Sequence, residues 1–118
     1  MVKFSITGRI PSKKNSKIII CRGKYPTMLP SKAHQEWHRE ASRQLNQTPK
    51  CKEIAEISII IFAPDKRKGD LTNKAESLLD LLVDNGIIQD DNWFEIPKLT
   101  LIFGGIDVKT PRAEIILT

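Results

Sequence analysis

Cysteine is nearly absent from this chain. Cys21 and Cys51 stand far apart with no Cys-x-x-Cys pair, which argues against a disulfide framework and a cysteine-built zinc site. Two free thiols in a reducing cytoplasm are expected, because disulfides persist in oxidising compartments. No apolar run approaches the roughly 18 residues of a membrane span, and the opening MVKFSITGRI has no signal-peptide apolar core. A cytoplasmic protein without a membrane partner is the expectation. Repeats, low-complexity tracts and interdomain linkers are also missing. Histidine occurs twice, as His34 and His38. That i, i+4 spacing suits a metal, but the intervening acid is Glu36 rather than the neighbour that a His-Glu-x-x-His site requires. A surface or packing role is expected for both.

What is present fits one domain spanning residues 1–118, with 40% hydrophobic and 28% charged residues. The net charge of +5 hides an asymmetry. Residues 1–52 hold 12 Lys/Arg against 2 Asp/Glu, and residues 53–118 hold 7 against 12. A basic half facing an acidic one suits a polyanion whose backbone is gripped by the first and processed by the second.

The apolar pattern predicts the elements. Val2, Phe4 and Ile6 alternate with polar residues, as in a half-buried strand. A loop rich in Gly, Pro, Ser and Lys follows. Residues 18–21 and 25–28 then flank Arg22-Gly23-Lys24 as a short hairpin. Ser31 is placed to cap a helix over residues 32–46, with Ala33, Trp37, Ala41 and Leu45 on one face and Trp37 in the core. Residues 54–62 are rich in β-branched isoleucine and stop at Pro64, as a strand would. Asp70 can cap a second helix, whose stripe is Leu71, Ala75, Leu78 and Leu82. Its other face carries Asn73, Glu76, Asp80 and Asp84, and Gly86 ends it. Two strands, near residues 98–103 and 112–117, complete the order β, hairpin, α, β, α, β, β. The fold class is α/β (α+β), with two main helices on a small mixed sheet.

The richest segment is 64–94, PDKRKGDLTNKAESLLDLLVDNGIIQDDNWF. The basic run Lys66, Arg67 and Lys68 leads straight into Asp70, and a second acidic pair, Asp90 and Asp91, follows the helix. Cations beside carboxylates are what a protein needs to hold a phosphodiester and a divalent metal together. Mg²⁺ takes oxygen ligands, usually one or two carboxylates plus water and phosphate, and polarises a phosphoryl group while helping to generate hydroxide. For Asp90 and Asp91 to meet Asp70, the chain must run back along a helix of roughly 22 Å, a reversal that Gly86 permits. The plainer alternatives are an N-cap for Asp70, a solvated face for Glu76, Asp80 and Asp84, and a turn for Asp90-Asp91-Asn92. Lys13, Lys14 and Asn15 form a second candidate phosphate contact in the N-terminal loop. Trp93-Phe94 is expected to pack beneath the acidic loop, with stacking on an opened base as the alternative.

These residues resemble the RusA-like crossover-junction endodeoxyribonucleases, Holliday-junction resolvases common in prophages. Lys66, Arg67 and Lys68 match that family's basic run, and Asp70, Leu71 and Asn73 its Asp-Leu-Asp-Asn motif. Asp80 matches its mid-helix acid, Gly86 its turn, Asp90 and Asp91 its final pair, and GRIPSKKNS its opening. Two positions depart. Thr72 replaces the motif's second acid, and Glu76 stands where the family commonly has Lys. Glu76 could restore the carboxylate and Lys74 the cation; otherwise the chain is a weakened or inactive branched-DNA-binding member. The resemblance implies a Mg²⁺- or Mn²⁺-dependent homodimer that nicks four-way or branched DNA in recombination and repair. Asp70 and Asp91 would be its principal ligands, with Asp90 and Glu76 or Asp80 completing the shell and Lys74 stabilising charge at the phosphate.

Overall fold

The computed structural model describes residues 1–12, 17–22 and 25–118, with residues 17–22 and 25–30 described by their backbone alone. Along the chain run β1 (Val2–Thr7), β2 (Lys17–Arg22), β3 (Tyr25–Pro30), α1 (Lys32–Gln44), β4 (Ile57–Ala63), α2 (Leu71–Asp84), β5 (Leu99–Ile106) and β6 (Arg112–Leu117). This is the order expected from the apolar pattern. Four strands form one mixed sheet in the order β1-β6-β4-β5, and β2 and β3 pair separately. β6 runs antiparallel to both β1 and β4. β5 runs parallel to β4, and α2 is the crossover between them.

Strand alternation sends one face of the sheet to the helices. Ile6, Ile57, Ile59, Ala113 and Ile115 are fully buried there, against Leu78, Leu81 and Leu82 of α2 and Ala41 of α1. Each large side chain so buried contributes roughly 1.5–3 kcal/mol, which pins α2 to the sheet. Trp37 packs at the margin of this core. Lys3 and Ser5, on the alternate positions of β1, are exposed.

Helix ends follow local chemistry. The Ser31 hydroxyl accepts the His34 N–H at 3.1 Å. α1 closes two residues before the expected end, because the N–H groups of Leu45 and Asn46 turn to the carbonyls of Ser42 and Arg43, three residues back. At the end of α2, the Ile87 N–H bonds the Leu82 carbonyl at 2.9 Å and the Gly86 N–H bonds Val83 at 3.0 Å. With Gly86 at φ +70, this is a Schellman cap. It turns the chain so that Ile87 and Ile88 enter the core.

Two strand limits differ from expectation by three residues. β4 begins at Ile57 rather than residue 54, since the N–H groups of Ala55 and Glu56 bond the Thr118 carbonyl. β5 continues past residue 103 to Ile106 through a bulge. Ile61 pairs with Phe103 but Phe62 with Gly105, leaving Gly104 as the extra residue. A Cβ at Gly104 would stand 2.8 Å from the Phe62 ring. Among the described residues, no helix is long and apolar enough to cross a membrane.

A Cβ at Gly86 would meet Lys50 at an ordinary 3.5 Å, so the backbone sets the cost of replacing it. Gly86→Ala is expected to lower unfolding free energy by about 1–2 kcal/mol, measured by urea denaturation, with no change in helix content at 25 °C.

Candidate nucleic-acid and metal site

The parallel β4–α2–β5 unit brings the N-terminus of α2 to the carboxyl ends of β4 and β5, the place where open α/β sheets hold ligands. A cavity of about 560 Å³ lies there. Its apolar lining includes Ile61, Phe62, Leu71, Phe103 and Ile106, and its cations are Arg9, Lys66, Arg67, Lys68 and Lys74. Outside the cavity, the Arg112 guanidinium sits 3.9 Å over the Phe62 ring centroid, itself held by Asp107 at 2.8 Å and Glu114 at 3.0 Å.

The cations are arranged by an acid that sequence reasoning missed. Asp65 accepts the Arg67 backbone N–H at 2.9 Å, the Arg67 Nε at 3.1 Å and Nη2 at 3.0 Å, and its Oδ2 also pairs with Arg9. The Arg67 side chain and N–H hold the Asp65 carboxyl down at about 2. Its signal lay in Pro64-Asp65, since Asp in a turn commonly accepts the N–H two residues on. Arg9 carried no such local signal.

Lys74 is half-buried. Its Nζ donates to the Ile10 carbonyl at 2.8 Å, and its stem lies where a Cβ on Gly69 would come within 2.6 Å of Cε. Burial lowers the Lys74 pKa; Arg9 and Arg67 push it the same way, against Asp65. One turn on, Ser77 is fully buried and donates to the Pro11 carbonyl at 2.9 Å. These two bonds tie the segment after β1 to α2.

Asp70 caps α2 as expected. Its Oδ1 accepts the Thr72 N–H at 3.0 Å and the Thr72 hydroxyl at 2.7 Å, and its Oδ2 accepts from Asn73 at 3.2 Å. Thr72 therefore holds the carboxylate it follows, in the place where the resemblance calls for an acid. Glu76 is exposed and Asp80 half-buried further along α2. Asp84 bonds the His38 ring at 2.9 Å, and that ring also meets the Ser42 hydroxyl.

The second acidic pair follows the other end of α2, a helix about 21 Å long. Asp90 Oδ1 accepts the Asp91 N–H at 2.7 Å and Oδ2 accepts from Asn92 at 3.2 Å. These bonds, the Asp91 N–H foremost, lower the Asp90 pKa. The Asn92 side chain caps Phe94 and Glu95 in turn. Trp93 and Phe94 do not pack beneath this loop: they are 78% and 84% exposed. The buried neighbours Ile88 and Ile96 already anchor the loop, and the turn sends both rings outward.

Lys66, Arg67, Lys68 and Lys74 are thus gathered beside Asp70, whereas Asp90 and Asp91 belong to a separate loop. Among the described residues, no three His, Cys, Asp or Glu groups are placed together to hold a metal. Lys13, Lys14 and Asn15 lie outside the described residues, as does the Cys21 side chain; Cys51 is a free thiol. No model of a known protein family and no curated protein matches the chain.

Because the Asp65 pKa falls below its ordinary 3.8 on folding, its stabilisation is present above that value and is lost as pH drops toward about 2. The thermal midpoint of the wild type should therefore fall more steeply between pH 4 and pH 2 than that of Asp65→Asn. Parallel curves from calorimetry would show that the Asp65 clasp adds no stability.

Proposed function

We propose that this protein is a Mg²⁺- or Mn²⁺-dependent endodeoxyribonuclease that nicks branched DNA, with a four-way junction as substrate. The observation that carries the reading is the cluster of Arg9, Lys66, Arg67, Lys68 and Lys74 around a cavity beside Asp70 at the head of α2. Such cations supply phosphate affinity without sequence choice. The helix N-terminus adds the partial positive charge that favours an anion nearby.

The donor chemistry suits a hard cation. Asp70 and Asp91 offer carboxylate oxygens, with Asp90, Glu76 and Asp80 as the further acids of the set. When bound, the metal would polarise the phosphoryl group and supply hydroxide. Asp70 precedes α2 and Asp91 lies in the loop after it; in this reading a homodimer can supply Asp70 from one copy and Asp91 from the other. A two-fold homodimer also matches a two-fold junction, with one site for each of two symmetric nicks. In this reading Lys66, Arg67 and Lys68 hold the phosphates that flank the cut. The Thr72 hydroxyl fixes the Asp70 carboxylate, and Lys74 offers its ammonium to the charge that grows on the phosphate. Recombination and repair, in a prophage or host cytoplasm, are where such an activity would serve.

A second reading has its own support. Both oxygens of Asp70 are satisfied within the first turn of α2, as an N-cap's would be. A branched-DNA-binding protein that does not cut would need nothing more of this residue.

Cleavage of a mobile four-way junction and a matched duplex, in Mg²⁺, Mn²⁺ or EDTA, separates the two. Paired, metal-dependent nicks confined to the junction support the nuclease; tight binding without nicks supports the binder. Asp70→Asn and Asp91→Asn are each expected to lower the nicking rate at least a hundredfold while junction affinity holds within about threefold, with Asp90→Asn milder. Cleavage at the wild-type rate in both of the first two would remove them from the site.

A further inference from the structure

The cavity beside α2 has a feature that phosphate binding leaves unused. A duplex gripped by its backbone offers only phosphates and sugars to a basic surface. Yet the apolar lining formed by Ile61, Phe62, Leu71, Phe103 and Ile106 opens among the cations. Phe103 is 56% and Ile106 49% exposed, so the lining continues to the surface as the contiguous apolar area that marks binding sites. At about 560 Å³ the cavity falls in the range that takes a small organic ligand. Its charge is one-sided: Asp65, the lone acid in the lining among the described residues, is already shared by Arg9 and Arg67. An occupant that matches this lining combines an apolar body with an adjoining anion.

We propose that this cavity receives one unpaired nucleotide at the branch point of the DNA, its base against Leu71, Phe103 and Ile106 and its phosphate against Lys66, Lys68 and Lys74. This rests on the branched-DNA reading and adds to it the means of telling a branch from a duplex. In continuous duplex every base is stacked and paired, and taking one out is costly. At a branch point the continuous stack is interrupted, so that cost is lower. Contact between a base and an aromatic side chain is sequence-tolerant, because every base has a π-face. Discrimination then comes from base accessibility, and retention on any DNA from the cations.

The same chemistry could come from a free mononucleotide, and the acid-flanked rings Trp93 and Phe94 of a second copy also match a basic, apolar cavity. The experiment separates all three. A four-way junction carrying 2-aminopurine at the crossover, and a duplex carrying it internally, are titrated in EDTA with wild type, Ile106→Trp to fill the cavity, and Phe103→Ala to shorten its wall. Circular dichroism verifies the fold, and both positions are exposed enough to accept the change. The expected result is a fluorescence change on junction but not duplex with wild type. Ile106→Trp should abolish it and weaken junction binding about tenfold, leaving duplex affinity unaltered, and Phe103→Ala should reduce it. Equal loss of duplex affinity, an unchanged signal in Ile106→Trp, or no junction binding at all would overturn the proposal. So would saturation by millimolar dAMP without competition from junction. A DNA-free shift to smaller mass in Ile106→Trp, by light scattering, would give the cavity to a second copy. Nicking in Mg²⁺ is read separately: signal without nicks fails only the nuclease reading, and nicks without signal fail only this one.

Discussion

The seating of α2 on the sheet is the constraint on which the rest depends. Leu78, Leu81 and Leu82 are fully buried against Ile57, Ile59 and Ile115, and that burial fixes both ends of the helix at once. One end delivers Asp70, Lys74 and the orphan N–H groups to the carboxyl ends of β4 and β5. The other, closed by the Schellman cap, commits Ile87 and Ile88 to the core and thereby positions the loop of Asp90 and Asp91. Loosening the helix would disturb both acidic groups together, although neither touches the core.

The electrostatics at the head of α2 are those of a site built to be unbalanced. Among the described residues, five cations surround one carboxylate, and that carboxylate is consumed in shaping the loop rather than in neutralising it. Lys74 bears the cost of the crowding, with its pKa pushed down by burial and by its neighbours. It stays in place because its Nζ is bonded to a backbone carbonyl. A phosphate entering the cavity would relieve this repulsion, so the field that strains the site in isolation is the one that would attract a polyanion.

The element order was legible because the signals were local: alternation in β1, an isoleucine-rich run in β4, and caps at Ser31, Asp70 and Gly86. The Asp70 cap and the adjacency of Lys66–Lys68 to it were equally plain. What the sequence did not disclose depends on contacts distant along the chain. Arg9 reaches Asp65 across the fold, and Lys74 finds Ile10. The start of β4 is set by the Thr118 carbonyl. Trp93 and Phe94 read as packing residues because large aromatics usually are; their exposure is decided by Ile88 and Ile96, which had already taken the interior. The Gly104 bulge left only a pair of glycines as its trace.

That bulge also governs how the sheet ends. Among the described residues, β5 has a strand on one side only, and Leu99, Ile102 and Phe103 along it are exposed, the combination that invites uncontrolled growth by strand addition. At Gly104 the regular spacing of outward amides and carbonyls is broken and the twist increases. A strand from another molecule could stay in register only along the short stretch before it. One glycine thus acts as a brake on fibril-like stacking, leaving the apolar side chains of the edge open without making the edge itself adhesive.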